Sequence, residues 1–349
     1  MPARPCPTLV RPFFMCLLLL SACSSTQSSS SGPAVTSTDG SKVASSRTER
    51  WRTRAADYLD GRVEQWLASP PKVANVDCAL NCHTTFPAVL VQSHLPAGQT
   101  PHIDEARARF EARLERKPTP FYGQGNDAKV HESHATEAVL VAAALTFDNA
   151  ERSTRAAAMQ RMWSRQGPDG SWPWLDFGLE PWEHEDAFGV AMAALAAGSV
   201  ESPDADGVAA LRQRAQHDAT TASLHDRAAL LWASSRFDDL LSDAQADAIA
   251  TELVAVQSRD GGAALGRLLD ADASAEPDGY ATAWVTLALC ASGREPAAAR
   301  AGQAWLRDHQ HRDGSWPGQS ANGNSRTARR YMTDAATAYA VLALDCTVP

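Results

Sequence analysis

Six alternations of an amphipathic helix with an alanine-rich one predict an all-α fold, an (α/α)6 toroid. Three observations carry this expectation. Alanine leads the composition while aromatic residues are only 7% and charged residues 21%, which suits packed helices and not sheets. Stretches dominated by small apolar residues recur at 84–92, 137–145, 186–195, 226–233, 280–289 and 334–344, and small residues on every face mean a helix buried on most of its circumference. Between them lie stretches with one apolar stripe and a charged face, at about 48–68, 103–117, 150–165, 204–216, 242–256 and 296–309. Each such pair can bury its stripe only against its neighbours, so six pairs close naturally into a ring with the apolar helices inside.

The chain ahead of the ring reads differently. Arg4 and Arg11 precede the apolar run 13–20, which is too short to cross a bilayer as a helix and has the layout of an export signal. The run ends in Leu20-Ser21-Ala22-Cys23, a tetrapeptide that resembles a bacterial lipobox with Cys23 as the lipidated residue. Ser24 beside it implies, by the same resemblance, the outer membrane. The organisation expected is therefore a signal peptide over 1–22, a Ser/Thr-rich tether over 23–47 and a toroid over 48–349, facing the periplasm. Removing 1–22 leaves 30 basic residues against 41 acidic ones, so the exported chain lacks a basic footprint for nucleic acid. Lipidated Cys23 is the membrane contact expected. Cys78, Cys82, Cys290 and Cys346 then sit in an oxidising compartment, with their pairing left open.

Three similar turns punctuate the helices: Gln166 with Gly170 and Trp172, Gln257 with Gly261, and Gln310 with Gly314 and Trp316. Together with Arg300-Ala301 and Trp305-Leu306, the last matches the whole QW repeat of squalene–hopene cyclases and of the related protein prenyltransferase toroids. The copy at 166–172 keeps its end but has Arg161 where an aromatic residue is expected, and the copy at 257 has Ala263 in place of the Trp. The resemblance spans about residues 50–349 and implies the toroid. These Gln-Gly-Trp turns read as clamps that tie one outer helix to the next, with no part in chemistry.

Because all inner helices run the same way, the loops that enter them gather at one mouth. That places His83, His134, Glu137, Glu183, Glu185, Asp186, Tyr280 and Asp334 toward one end, with Asp226 and Asp334 also explicable as helix caps. Glu137, Glu183, Glu185 and Asp186 are the candidate catalytic carboxylates. The segment Cys78-Ala-Leu-Asn-Cys82-His83 is one residue longer than the attachment site of c-type haem proteins. Cys82-His83-Thr84-Thr85-Phe86-Pro87 and 172–183 also resemble a group of bacterial cyclase-like toroids that carry a haem-type motif at this place. The resemblance implies haem c on Cys78 and Cys82, His83 as iron ligand, His134 (or His131) as the second axial ligand, and Asn81 looped outward in a left-handed conformation. A Cys78–Cys82 disulfide and a Cys/His metal site stay open beside it.

Three functions follow: a haem-bearing redox lipoprotein with a redox partner, a haem-free binder or enzyme for an isoprenoid or other apolar ligand, and a glycan-active (α/α)6 protein. Direct cyclisation is disfavoured because no Asp-x-Asp-Asp acid occurs; Phe237-Asp238-Asp239 and Asp270-Ala-Asp272 are the nearest, and both fall between helices. Asp278-Gly-Tyr280 lacks the neighbouring Cys of the prenyltransferase zinc trio. Neither a phosphate-binding glycine loop nor a Gly-x-Ser-x-Gly elbow is present.

Overall fold

The computed structural model describes residues 47–68, 80–115, 126–147, 150–198, 205–272, 275–323 and 325–349. Cys23, the signal and tether, and Cys78 lie outside them. The described residues form thirteen α-helices and, apart from an isolated bridge between Leu179 and Glu183, no β pairing. No described helix is long and apolar enough to cross a membrane.

Six helices form the inner layer: α2 (Thr85–Leu90), α4 (Asp127–Phe147), α6 (Ala187–Ala197), α8 (Leu224–Ser234), α11 (Gly279–Ala291) and α13 (Arg326–Asp345). Six form the outer layer: α1 (Arg47–Ala68), α3 (Pro101–Glu115), α5 (Arg152–Trp163), α7 (Ala205–Thr221), α9 (Asp243–Val256) and α12 (Pro296–His309). The single turn α10 (Leu265–Leu268) lies between α9 and α11. Inner helices pack in the cyclic order α2, α4, α6, α8, α11, α13 and back to α2, so the ring is closed. Every residue of α6 is buried, as its lack of any polar side chain requires.

Two inner helices begin earlier than their alanine content indicates. The first turns of α4 and α13 are polar and exposed, with Lys129 and Glu132 paired at 2.6 Å across one turn of α4. Only the later, buried parts carry the alanine signal. Asp334 consequently sits well inside α13 and caps nothing, while Ser223 and Asp278 cap α8 and α11.

The three Gln-Gly turns are the clamps expected of them. Gln166 Nε2 donates to the carbonyls of Gly170 and Gly207, Gln257 Nε2 to those of Gly261 and Ala298, and Gln310 Nε2 to those of Gly314 and Trp51. Each Gln thus joins its own turn to the start of the next outer helix, namely α7, α12 and α1. The glycines adopt φ of 83°, 92° and 94°, and a Cβ on any of them would meet that next helix within 2.4 Å. Outer neighbours α1–α3, α3–α5 and α7–α9 pack directly, so the clamps serve the other three junctions. The indoles of Trp172 and Trp316 lock the turns by donating to Met162 O and Leu306 O.

The centre of the ring is filled. Trp232, Trp284, Tyr280, Tyr339, Phe188 and His225 are buried there, with Trp284 stacked on His225 at 5.1 Å and edge-on to Tyr339 at 4.7 Å. Cys290 at the end of α11 and Cys346 just beyond α13 form a disulfide, which ties the last two inner helices together.

Candidate functional site

The mouth is built by the loops that enter α2, α6 and α13. Asn81 sets the first: its side-chain oxygen accepts from the backbone N–H groups of His83, Thr84 and Thr85, while its own N–H donates to Thr85 Oγ1. This cap fixes His83 at the threshold of α2. It also places Asn81 inside the protein, 5% exposed and without the left-handed backbone expected of it beside an attached haem.

Behind His83 runs a buried polar chain. Its Nδ1 lies 3.2 Å from Thr84 Oγ1, and that hydroxyl donates to Asp334 Oδ2 at 2.7 Å. Asp334 is fully buried and holds Arg62 in a two-pronged pair, Nε to Oδ1 at 2.7 Å and Nη2 to Oδ2 at 2.9 Å, while Tyr58 OH donates to Oδ1. Since the Thr84 proton is committed to the carboxylate, His83 Nδ1 must be the donor and Nε2 the acceptor. Burial and the Arg62 charge lower the imidazole pKa to about 3, so His83 is neutral at ordinary pH. The ring stacks on Tyr331 at 3.9 Å and meets Trp66 edge-on at 5.7 Å.

The loop before α6 covers the opposite side. Leu179 and Glu183 exchange two backbone hydrogen bonds, which turns Trp182 inward while Phe177 and Leu179 stay exposed. Trp174 Nε1 donates to Trp182 O at 2.6 Å, and the Trp174 ring lies over Gly189, where a Cβ would collide with it. Trp182 Nε1 donates to Tyr280 OH, that hydroxyl donates to His225 Nε2 at 2.7 Å, and His225 Nδ1 donates to Asp226 at 2.7 Å. The indole is thereby held as a plug between the filled ring and the mouth. Glu180 and Asn322 exchange backbone-to-side-chain bonds that join this loop to the one entering α13.

A pocket of about 290 Å³ remains between the loops. His83, Tyr331 and Trp182 supply aromatic walls; Glu180, Glu183, Ser320, Asn322, Ser325 and Thr327 supply polar groups. Cys82 Sγ donates to Glu183 Oε1 at 3.2 Å. Burial pushes the pKa of both upward, as it does for Glu180, whose carboxyl lies 3.4 Å from His184 Nε2.

Of the residues expected at the mouth, His83, Glu183, Tyr280 and Asp334 therefore gather there or directly beneath it. The others do not. Glu137 is buried between α3 and α5, paired with Arg113 and with Arg161 at 2.7 Å, and has no route to the pocket. His134 lies on the same side, its imidazole pKa lowered by burial and then by Arg165, and its Nε2 is buried without a hydrogen-bond partner. Asp186 turns outward to Arg214 on α7. Glu185 stands on the exposed rim near His184, and His131 is exposed. Arg62, Tyr58, Trp66, Glu180 and Asn322 were not among the candidates, because nothing local marks a residue on an outer helix or rim loop as belonging to a site assembled from elsewhere.

As arranged here, these residues do not meet the requirements of a haem c site. The pocket is small for a porphyrin, one face of His83 is covered by Tyr331, and Cys82 is a protonated thiol bonded to Glu183. His83 lines the pocket and His134 is not among its described lining residues. Cys82 forms no disulfide with another described residue, and the Cys78 end of the expected Cys78–Cys82 bond lies outside them. Among the described residues no group of three His, Cys, Asp or Glu side chains could hold a metal ion.

No family model matches the chain, and no curated protein matches it either. Solved structures do. An unsaturated glucuronyl hydrolase specific for heparin aligns over 85% of this chain and 96% of its own, with a TM-score of 0.55 at 10% identity. The type II terpene cyclase MstE from Scytonema aligns over 85% and 97%, with a TM-score of 0.52 at 15% identity. The protein shares the α/α toroid fold with both. At these identities the likeness reaches no further than the fold.

Proposed function

We propose that the protein is an envelope lipoprotein that binds a sugar residue of a glycan in its mouth pocket. One observation carries the reading: a pocket of about 290 Å³ that combines aromatic walls with a rim of hydroxyl, amide and carboxyl groups. A sugar ring offers an apolar face to Trp182 or Tyr331 and a fringe of hydroxyls to Ser320, Asn322, Ser325 and Thr327. The Trp182 indole is held by its bond to Tyr280 and by the Trp174 bond to its carbonyl, so little ordering of that wall is lost on binding. The glycan class also fits the glucuronyl hydrolase likeness in fold. An isoprenoid needs a deep apolar cavity instead, and here Trp284, Tyr280 and Tyr339 occupy the ring. Electron transfer through haem has no place in this reading, for the geometric reasons above.

The test is a titration with neutral mono- and oligosaccharides, read by tryptophan fluorescence and calorimetry. Dissociation constants on the order of 1 mM or tighter are expected, and Tyr331→Ala, at a half-buried position, should weaken them about tenfold. Absence of any saturable sugar binding sinks the reading.

The envelope location rests on the lipobox and is supported by the Cys290–Cys346 disulfide, a bond at home outside the reducing cytosol. Cys23→Ser should move the protein from the membrane fraction to the soluble periplasmic one. Unchanged retention in membranes would reject the anchor.

A further inference from the structure

The pocket is rich in hydrogen-bond acceptors and poor in cations. Among the described residues that line it there is no Lys or Arg. Among the described residues the Glu183 carboxyl has the neutral thiol of Cys82 as its hydrogen-bond partner, and the Glu180 carboxyl lies 3.4 Å from His184, which is 44% exposed. His83 adds a third acceptor, because Thr84 and Asp334 hold its proton on Nδ1 and Nε2 makes no hydrogen bond to any described residue. Arg62, whose charge bears on His83, is neutralised by its two-pronged pair with Asp334. Thr327, Ala328, Tyr331 and Met332 of α13 line the pocket and Arg326, Arg329 and Arg330 do not, although the Arg330 charge reaches the Tyr331 hydroxyl. Two carboxyls and an imidazole acceptor, in a partly desolvated site with no strong cation among the described lining residues, call for a donor from outside.

An ammonium group meets every one of these demands. It presents three N–H donors and no acceptor, it carries the compensating charge, and it is attracted to the faces of Trp182 and Tyr331. A carboxylate ligand fails on each count. Building on the sugar-binding reading above, we infer that the pocket is specific for a sugar carrying a free amino group, its ammonium received by Glu183, Glu180 and His83 Nε2 between the Trp182 and Tyr331 rings. The substrate class is thus a de-N-acetylated hexosamine unit of a glycan, and uronic acids are excluded from this position.

The experiment compares glucosamine, N-acetylglucosamine, glucose, glucuronate and cyclohexylamine as probes on the intact exported chain, by calorimetry at neutral pH. Glucosamine should bind at least tenfold tighter than glucose or N-acetylglucosamine, and glucuronate should be weakest. The double variant Glu180→Gln, Glu183→Gln keeps shape and hydrogen bonding while removing charge, and it should bring glucosamine down to the level of glucose. Equal binding of glucosamine and glucose, or a glucosamine advantage that survives the double variant, overturns the amine assignment and leaves the sugar pocket standing. Binding of cyclohexylamine without any sugar would uphold the amine site and reject the sugar reading. Failure of all five probes would reject both.

Discussion

Glu137→Ala is expected to lower the free energy of unfolding by about 3–5 kcal/mol, the usual cost of stranding the partner of a buried ion pair. Glu137 is 1% exposed, and its two oxygens are shared between Arg113 at the end of α3 and Arg161 at the end of α5. Arg161 also donates to Arg113 O at 2.6 Å, so the carboxylate holds two outer helices and one inner helix together. Its removal leaves two guanidinium groups close to one another with little water. Chemical denaturation should register the loss in the midpoint with an unchanged slope. Sugar binding by the folded fraction should persist, because the pair lies away from the pocket. A variant of normal stability that had lost ligand binding would restore Glu137 as a site residue.

Reduction of the Cys290–Cys346 bond should cost about 4 kcal/mol, the loop-closure entropy of a segment of this length. The bond spans 56 positions and joins α11 to the end of α13, the most extensively packed pair of inner helices. Cys290 is 3% exposed, so reductant alone should act slowly on the folded protein. The double variant Cys290→Ser, Cys346→Ser measures the equilibrium effect directly. An unfolding midpoint indistinguishable from that of the parent protein would show that packing between α11 and α13 suffices without the bond.

The architecture was legible because its signal is repeated. Six alanine-rich stretches and three Gln-Gly turns state the same arrangement several times, and local exceptions do not disturb it. The site was legible only where a loop is short and its neighbours are fixed, as at His83 and Glu183. Glu137 and Arg161 illustrate why the rest was not. Arg161 stood out as a departure from an aromatic repeat position, and Glu137 as a carboxylate one turn from a histidine. The structure explains each by the other, since the missing aromatic residue is a guanidinium that needs that carboxylate. Sequence spacing along one helix cannot reveal a partner 24 residues away on another. Asp334 was expected at the mouth, but its part there was not legible: its resemblance to a cap vanished once polar turns extended α13, and its partner Arg62 lies 272 residues distant. The pairing of Cys290 with Cys346 follows from which helices end side by side, which composition does not encode.

The clamp of Gln310 on the start of α1 has a consequence for the order in which the chain is made. Trp51 and Gln310 are 259 residues apart, and Arg52 of α1 also pairs with Asp345 at the end of α13. Of the described helices, the first to be synthesised is therefore covered last. Until the final hairpin arrives, the stripe formed by Ala55, Ala56, Leu59 and Val63 on α1 has its C-terminal neighbours missing. A linear array of hairpins would propagate from whichever unit formed first, whereas this seam makes the final step non-local and slow. The chain spends that interval with an apolar edge open, the period in which a chaperone has most to protect.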